Sequence, residues 1–281
     1  MSHADAGSQR RVIIALILTG TFMLVEIAGG IISGSLALLA DAGHMLTDTM
    51  ALGLAAMAFH VSKRPPDGRL TYGYQRFQIL AAFVNGLSLL LIVGWIIVEA
   101  FRRFMDPQEI LAGTMLMVAG VGLIVNVVAF VVLHTGDRDN LNIRGAALHV
   151  AGDLLGSIAA IVAAVVIIWT GWTLIDPLLS LAVAGLILKS AWTLVKRSGH
   201  VLLEGAPEWL DVDAMQRRII AEVPGVDGIH HVHIWGLTPQ QLMLTMHVTV
   251  GQPVDSQSDL VRGIKGVLQK EYGIGHSTIE L

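Results

Sequence analysis

Residues 38–50, LLADAGHMLTDTM, and residues 147–157, ALHVAGDLLGS, set ionisable side chains inside stretches apolar enough to lie in lipid. Each holds a His and an Asp four residues apart, His44 with Asp48 and His149 with Asp153. In a helix that step returns to the same face one turn on, so two such helices facing each other direct two imidazoles and two carboxylates to one point. This is the outline of a tetrahedral metal site. Ionisable groups at membrane depth are costly unless paired, and they mark ion or proton pathways. One His/Asp pair would be explained by an interhelical hydrogen bond; two pairs with identical spacing make that explanation poor.

Two neutral imidazoles and two carboxylates at about 2.0–2.2 Å suit Zn²⁺, with Co²⁺ and Cd²⁺ as mimics. Mg²⁺ and Ca²⁺ prefer all-oxygen shells. Histidine titrates near neutrality and a metal ligand must be deprotonated, so protons and metal compete for the same groups. Exposed alternately to two sides, such a site makes an antiporter. Asp41, three residues before His44, is expected behind the ligands or on the access path. Thr47, Thr49 and Ser157 read as helix packing, and Asn126 as an interhelical hydrogen bond. Glu26 either lines the pathway or pairs within the bundle.

The rest of the 281-residue chain suits that setting. It is 54% hydrophobic and only 14% charged, with a mean hydropathy of +0.67, which excludes an ordinary cytosolic enzyme and predicts a polytopic membrane protein. No Cys is present, so disulfides, thiolate metal sites and CxxC redox chemistry are excluded. The formal net charge of −4 gives no sign of nucleic-acid binding. The opening MSHADAGSQRR lacks a cleavable-signal pattern, which makes the first helix the targeting signal.

Six segments approach the roughly 20 apolar residues a crossing needs, near residues 12–32, 36–60, 78–100, 112–134, 145–169 and 177–195. The second and fifth are the least apolar and carry the His/Asp pairs, so they should face the bundle interior. Arg10, Arg11, Lys63, Arg64, Arg69, Arg76, Arg138, Arg144, Lys196 and Arg197 all fall on one side, against Arg102 and Arg103 on the other. The positive-inside rule then puts both termini in the cytoplasm. Gly30 and Gly34 at GxxxG spacing, with Ala119, Gly120 and Gly122, are expected to let helices approach closely.

Gly205, Ala206 and Pro207 break the apolar pattern, and a separate domain begins. WLDVDAMQRRIIAEV (209–223) and SDLVRGIKGVLQKEY (258–272) read as amphipathic helices; GIHHVHIWG (228–236), QLMLTMHVTV (241–250) and HSTIEL (276–281) read as strands. The order αββαβ predicts a small α+β domain with both helices on one face of an antiparallel sheet. Strict alternation puts Val232, Ile234, Leu242, Leu244, Met246, Val248, Ile279 and Leu281 under the helices. The open face then carries His231, His233 and Trp235, Met243, Thr245 and His247, and His276, Thr278 and Glu280. That surface fits a dimer contact, a metal site or both; the plain alternative is histidines that only solvate the sheet. At the neck, Arg76 and Glu204 are expected to pair and fasten the two parts across a dimer.

Two rival functions fit parts of this pattern. An intramembrane metalloenzyme would use an open zinc position to activate water, but no HExxH pattern and no Glu occur in the second or fifth segment. A membrane-bound divalent-metal sensor that binds without transporting, with the tail as readout, is the stronger alternative.

SGSLALLADAGHMLTD (33–48), KRPPDGRLTYGYQRFQILAA (63–82), NLNIRGAALHVAGDLLGS (140–157), LIDPLLSL (174–181), LLEGAP (202–207) and HHVHIW (230–235) closely resemble the cation diffusion facilitator family. The resemblance runs from about residue 11 to the end and is strongest to its zinc-transporting branch, which includes bacterial zinc and cobalt–zinc–cadmium resistance exporters. It implies a cytoplasmic N-terminal tail over 1–11, a six-helix transmembrane bundle over 12–204 and a cytoplasmic ferredoxin-like domain over 205–281 that dimerises and binds metal. It further implies a homodimer in a bacterial inner membrane that exports Zn²⁺, with Cd²⁺ and Co²⁺ as further cargo, in exchange for protons. On this chain the family's transport ligands fall on His44, Asp48, His149 and Asp153. Its tail zinc ligands fall on His233, His247, His276 and Glu280. Loop 135–143, TGDRDNLNI, lacks the His-rich tract of many eukaryotic members, and the loop after the second segment has no His beyond His60. Relatives often continue past the position of Leu281 with another carboxylate, so the tail site is expected to be weaker or incomplete.

Overall fold

The computed structural model describes the backbone of residues 3–62, 64–134, 141–238, 241–251 and 257–281. Within its helices, the side chains of residues 3–16, 48, 51–52, 55–56, 59, 62, 133–134 and 141–152 lie outside the description. Among the described residues, the long helices α1 (His3–Ser33), α2 (Leu36–Ser62), α3 (Phe77–Met105), α4 (Ala112–His134), α5 (Leu141–Thr170) and α6 (Ile175–Leu202) come first. An α+β segment follows, with α7 (Val212–Glu222), β1 (Val226–Thr238), β2 (Gln241–Val250), α8 (Gln257–Tyr272) and β3 (His276–Glu280). Among the described residues, four stretches are long and apolar enough to cross a membrane: Phe77–Met105, Ala112–Val132, Asp153–Thr170 and Ile175–Leu202. The described apolar parts of α1 and α2, Ile17–Ser33 and Leu36–Thr47, are shorter.

The chain forms two compact units, residues 1–53 with 84–193 and residues 54–83 with 194–281. In the first, the distribution of side chains is the reverse of a water-soluble protein. Ala100, Ala119, Ala129, Ala160, Ala163, Ala184 and Ala191 are buried, while Leu91, Met117, Ile124, Leu155 and Leu186 point outward. Small residues inside and large apolar residues outside let helix backbones approach while lipid solvates the exterior. The chain is an integral membrane protein. Leu36 and Ala40 pack with Leu89, Val93 and Ile96 of α3 and Ala184 and Ile187 of α6. Ala37 and Leu38, on the other side of the same turn, pack with Met115 and Ala119 of α4 and Ala160 and Ala163 of α5. The start of α2 is thus wedged between two helix pairs.

The expected close approaches are partly as read. A Cβ on Gly122 would lie 2.6 Å from Phe22 Cζ, and one on Gly30 would lie 2.8 Å from Leu39 Cδ2. Gly34 serves the turn between α1 and α2 instead, at φ +73°, a left-handed conformation that a side chain would strain.

That turn is held by a carboxylate from a distant helix. Asp176, fully buried in the first turn of α6, accepts from Ser35 Oγ at 2.6 Å, Leu36 N–H at 2.7 Å and Ala37 N–H at 3.1 Å. Ser35 Oγ in turn accepts from Leu38 N–H at 3.2 Å. The first amides of a helix have no intrahelical acceptor and carry the positive end of its dipole, so a carboxylate there satisfies both needs. Arg103 of α3 completes the network, donating to Gly34 O and lying 3.5 Å from Asp176 Oδ2.

In the second unit, Met215 and Ile219 of α7 and Leu260, Ile264 and Leu268 of α8 share one core with Ile234, Leu242, Leu244, Met246 and Val248. Both helices therefore cover one face of the sheet, as alternation predicts. Asp211 caps α7, accepting from Ala214 N–H at 2.9 Å.

The sheet order is β1-β2-β3, and three details correct the sequence reading. β2 and β3 are parallel, where an antiparallel sheet is expected, because α8 is a crossover that returns the chain to the same end of the sheet. Leu281 lies past the end of β3 and is exposed. Met243, expected on the open face, is 1% exposed; it pairs with Trp235 on one side and His276 on the other, which shelter it.

Candidate functional site

On α2, Asp41 and His44 stand three residues apart and so share a face. Asp41 is buried at 4% exposure and His44 is half-buried. On α5, Asp153 is 1% exposed. The side chains of Asp48 and His149 lie outside the described residues, so of the four ligands expected from sequence, His44 and Asp153 are placed.

A third carboxylate joins them from α1. Glu26 is fully buried and faces Asp41, and Asp153 lies near enough to act electrostatically on both. Asp41 reaches α5 because residue 156 is glycine: a Cβ there would sit 2.6 Å from Asp41 Oδ1. Gly156 is three residues from Asp153, so the two carboxylates are held about one helical turn apart along α5. Three carboxylates enclosed in apolar surroundings repel one another strongly, and a cation or protons between them relieve the repulsion. Chemically, such a cluster can take up either protons or a divalent cation.

The neighbouring polar residues have the structural roles read from the sequence. Asn126 of α4 donates to Ser157 Oγ of α5 at 3.2 Å. Thr47 Oγ1 donates to His44 O at 2.7 Å and Thr49 Oγ1 to Met45 O at 2.9 Å, bonds that turn hydroxyls back onto their own helix. The sequence left Glu26 between two roles; its burial beside Asp41 puts it with the carboxylate cluster. No sequence signal links Asp176 to Arg103, because 73 residues separate them and only the fold shows that one caps a helix the other abuts.

The four residues expected to bind metal in the tail are not gathered at one point within the chain. His247 pairs with Glu280, and His247 Nε2 lies 3.5 Å from Glu280 Oε2. His233 pairs with Thr245, and His276 with Met243. Met243 and His247 are four residue steps apart on β2, or about 13 Å at strand rise. His276 instead meets the edge of Tyr72, with ring centroids 6.4 Å apart.

The residue opposite His247 is His230, which alternation had turned away. The cause is a bulge: the register shifts between His230 and His233, and His231 takes φ +49°. An extra residue in one strand resets the alternation beyond it, so His230 and His233 share the open face. Nothing in HHVH favours a left-handed residue, and the sequence gives no warning of it.

At the neck, Arg76 Nη1 and Nη2 both donate to Glu204 Oε1 at 3.1 Å. The expected pair forms within one chain. With 34% and 60% of the two side chains exposed, solvent screening limits it to about 0–1 kcal/mol. Reversing either charge alone (Arg76→Glu or Glu204→Arg) is expected to lower the melting temperature by no more than a few degrees, and the double reversal to restore it. Equal losses that add in the double variant would show that the charges do not interact. Nearby, Asp67 accepts from Tyr74 OH at 2.6 Å and from the amides of Arg69 and Leu70. The Tyr74 hydroxyl first, then these amides, hold its carboxyl below the usual carboxylate range.

Comparison with known proteins bears on the chain as a whole. Residues 12–203 match the cation efflux transmembrane domain, and residues 210–281 match the cytoplasmic domain of cation efflux proteins. The chain is 50% identical over 281 residues to the zinc transporter ZitB of Pectobacterium atrosepticum, covering 100% of this chain and 87% of that protein. It is 41% identical over 274 residues to the metal cation efflux system protein CzcD of Cupriavidus metallidurans, covering 98% and 86%. A cadmium, cobalt and zinc/H⁺–K⁺ antiporter of Bacillus subtilis is 40% identical over 284 residues, covering 100% and 91%.

Proposed function

The chain belongs to the cation efflux family, and on that premise we propose that it exports Zn²⁺ from the cytoplasm in exchange for protons. It is a transporter and not an enzyme. In this reading α1–α6 all cross the bilayer, both termini are cytoplasmic, and the tail is a ferredoxin-like domain that joins two chains as a homodimer. His44 and Asp48 of α2 with His149 and Asp153 of α5 coordinate the cargo, and Cd²⁺ and Co²⁺ are accepted by the same nitrogen and oxygen ligands. Zn²⁺ displaces protons from these groups while the site faces the cytoplasm. Rocking of helices about the site then exposes it to the other side, where protons displace the metal.

The observation that carries the proposal is the enclosure of Asp153, 1% exposed, with Asp41 and Glu26 in a bundle whose outer surface is apolar. A carboxylate cluster in that position has no stabilising role that an apolar core would not fill better, which points to an ion pathway. Alternating access is supported by the competition of metal and protons for the same ligands. The relative named as a zinc/H⁺–K⁺ antiporter supports the coupling.

The test is zinc flux in proteoliposomes under an imposed pH gradient, comparing the wild type with His44→Ala. Flux should follow the gradient in the wild type and vanish in the variant, with the variant still eluting as a folded species. Normal gradient-driven flux through His44→Ala would remove the site. Zinc binding by the wild type without flux would make the protein a metal sensor instead.

A further inference from the structure

We propose that the surface where α3 begins and α6 ends is a docking site for anionic phospholipid headgroups, held by Arg64, Arg69, Lys196 and Arg197. The inference rests on α3 and α6 crossing a membrane and not on what the protein transports. All four side chains are exposed. Among the described residues, none of them enters an ion pair or a side-chain hydrogen bond.

The acids that could neutralise these cations are already engaged. Asp67, between Arg64 and Arg69 in the loop from α2 to α3, turns Oδ1 to the amides of Arg69 and Leu70 and Oδ2 to Tyr74 OH. Glu204, just past α6, accepts from both terminal nitrogens of Arg76. The backbone adds further ties: Asp67 N–H donates to Leu70 O at 3.2 Å and Gly73 N–H to Leu70 O at 2.8 Å. Gly73, at φ +74°, brings the chain back beside Arg64 and Pro66. The loop is therefore a folded platform, and a ligand that binds it has little chain left to order.

The loop and the end of α6 are neighbours. The Arg76–Glu204 pair joins them, and a Cβ on Gly199 of α6 would lie 3.4 Å from Phe83 Cε2 of α3. The four free cations thus belong to one region at the junction of the two helices.

Its apolar residues place that region at the edge of the bilayer. The apolar stretch of α3 starts at Phe77, one residue after Arg76, and Phe77 and Leu80 both point outward. They lie within about 5 Å of each other along the axis. Leu70 in the loop is exposed, and Leu203, the first residue after α6, is 85% exposed. Unpaired cations beside exposed leucine and phenylalanine suit the headgroup boundary, where charged heads meet phosphates and apolar groups meet acyl chains. A soluble anion would have no use for Leu70 and Leu203. A zwitterionic headgroup brings its own cation, so a net-negative headgroup answers the uncompensated charge better. Near an anionic leaflet each such Lys or Arg strengthens attachment roughly fivefold.

The test titrates the full chain in detergent, stripped of lipid, with phosphatidylglycerol or with phosphatidylcholine of the same acyl chains, and measures bound lipid. Phosphatidylglycerol should bind at least about tenfold more tightly. In about 1 M NaCl, where the screening length falls to about 3 Å, the wild type should keep less than about a threefold difference. The variant Arg64→Gln, Arg69→Gln, Lys196→Gln, Arg197→Gln should lose the preference at low salt. A control that removes as much charge from exposed positions of α7 and α8, Arg217→Gln, Arg262→Gln, Lys265→Gln, Lys270→Gln, should retain it. Equal binding of the two lipids by the wild type, or a preference that survives high salt, would overturn the proposal without recourse to any variant. Discrimination kept by the first variant, or lost equally in the control, would overturn it too. So would displacement of phosphatidylglycerol by an equal concentration of free glycerol phosphate, which would make the site one for soluble anions.

Discussion

Zinc flux driven by a pH gradient is expected to fall at least about 100-fold, to the level of empty liposomes, when Asp153 is replaced by Ala. Removing groups that merely orient metal ligands typically costs 10–100-fold in affinity or activity, so loss of a ligand that also neutralises the ion should exceed that range. Asp153 is enclosed at 1% exposure, which leaves no water to substitute for the lost carboxylate without opening the bundle. Asp41→Asn separates the two roles. It keeps a side chain of the same shape against Gly156, removes one charge from the cluster, and should cost 10–100-fold while leaving measurable flux. The pair is checked by initial rates at saturating zinc and by equilibrium zinc binding. Retention of more than a tenth of wild-type flux in Asp153→Ala would take Asp153 out of the pathway.

Those expectations could be formed from the sequence because the decisive information there is local. A four-residue step between His and Asp inside an apolar helix states its own geometry, and Asp41 needs only one more turn of the same helix. Burial of Ile234, Leu244 and Met246 followed from alternation alone. What the sequence hid depends on events that local pattern does not encode. One bulged residue at His231 exchanged the ring opposite His247, because the side-chain period of a strand is two and any insertion reverses everything beyond it. The direction of β3 depended on how α8 crosses the sheet. Nothing in the sequence singles out Gly156, and only the approach of Asp41 from α2 shows that its missing Cβ makes room for a carboxylate.

Asp176→Ala is expected to have the largest effect on stability, destabilising the membrane unit by about 3–5 kcal/mol, the usual consequence of removing one partner from a buried charge pair. Three donors at the start of α2 lose their acceptor at once, and the guanidinium of Arg103, only 11% exposed, loses its carboxylate on α6. For a chain of this size the melting temperature in detergent should drop on the order of 10 °C. Asp176→Asn should fall between, since its amide oxygen still accepts from the turn but carries no charge to set against Arg103 or the helix dipole. Removing both charges, Asp176→Ala with Arg103→Ala, should cost less than the two single losses added together, because no buried charge is left unpaired. The carboxylate grips the same helix that carries His44 and Asp48, two to four turns from its capped end, and that end is wedged between α3, α6, α4 and α5. A variant that melts normally, or a double variant whose losses simply add, would show that packing alone holds α2 in place.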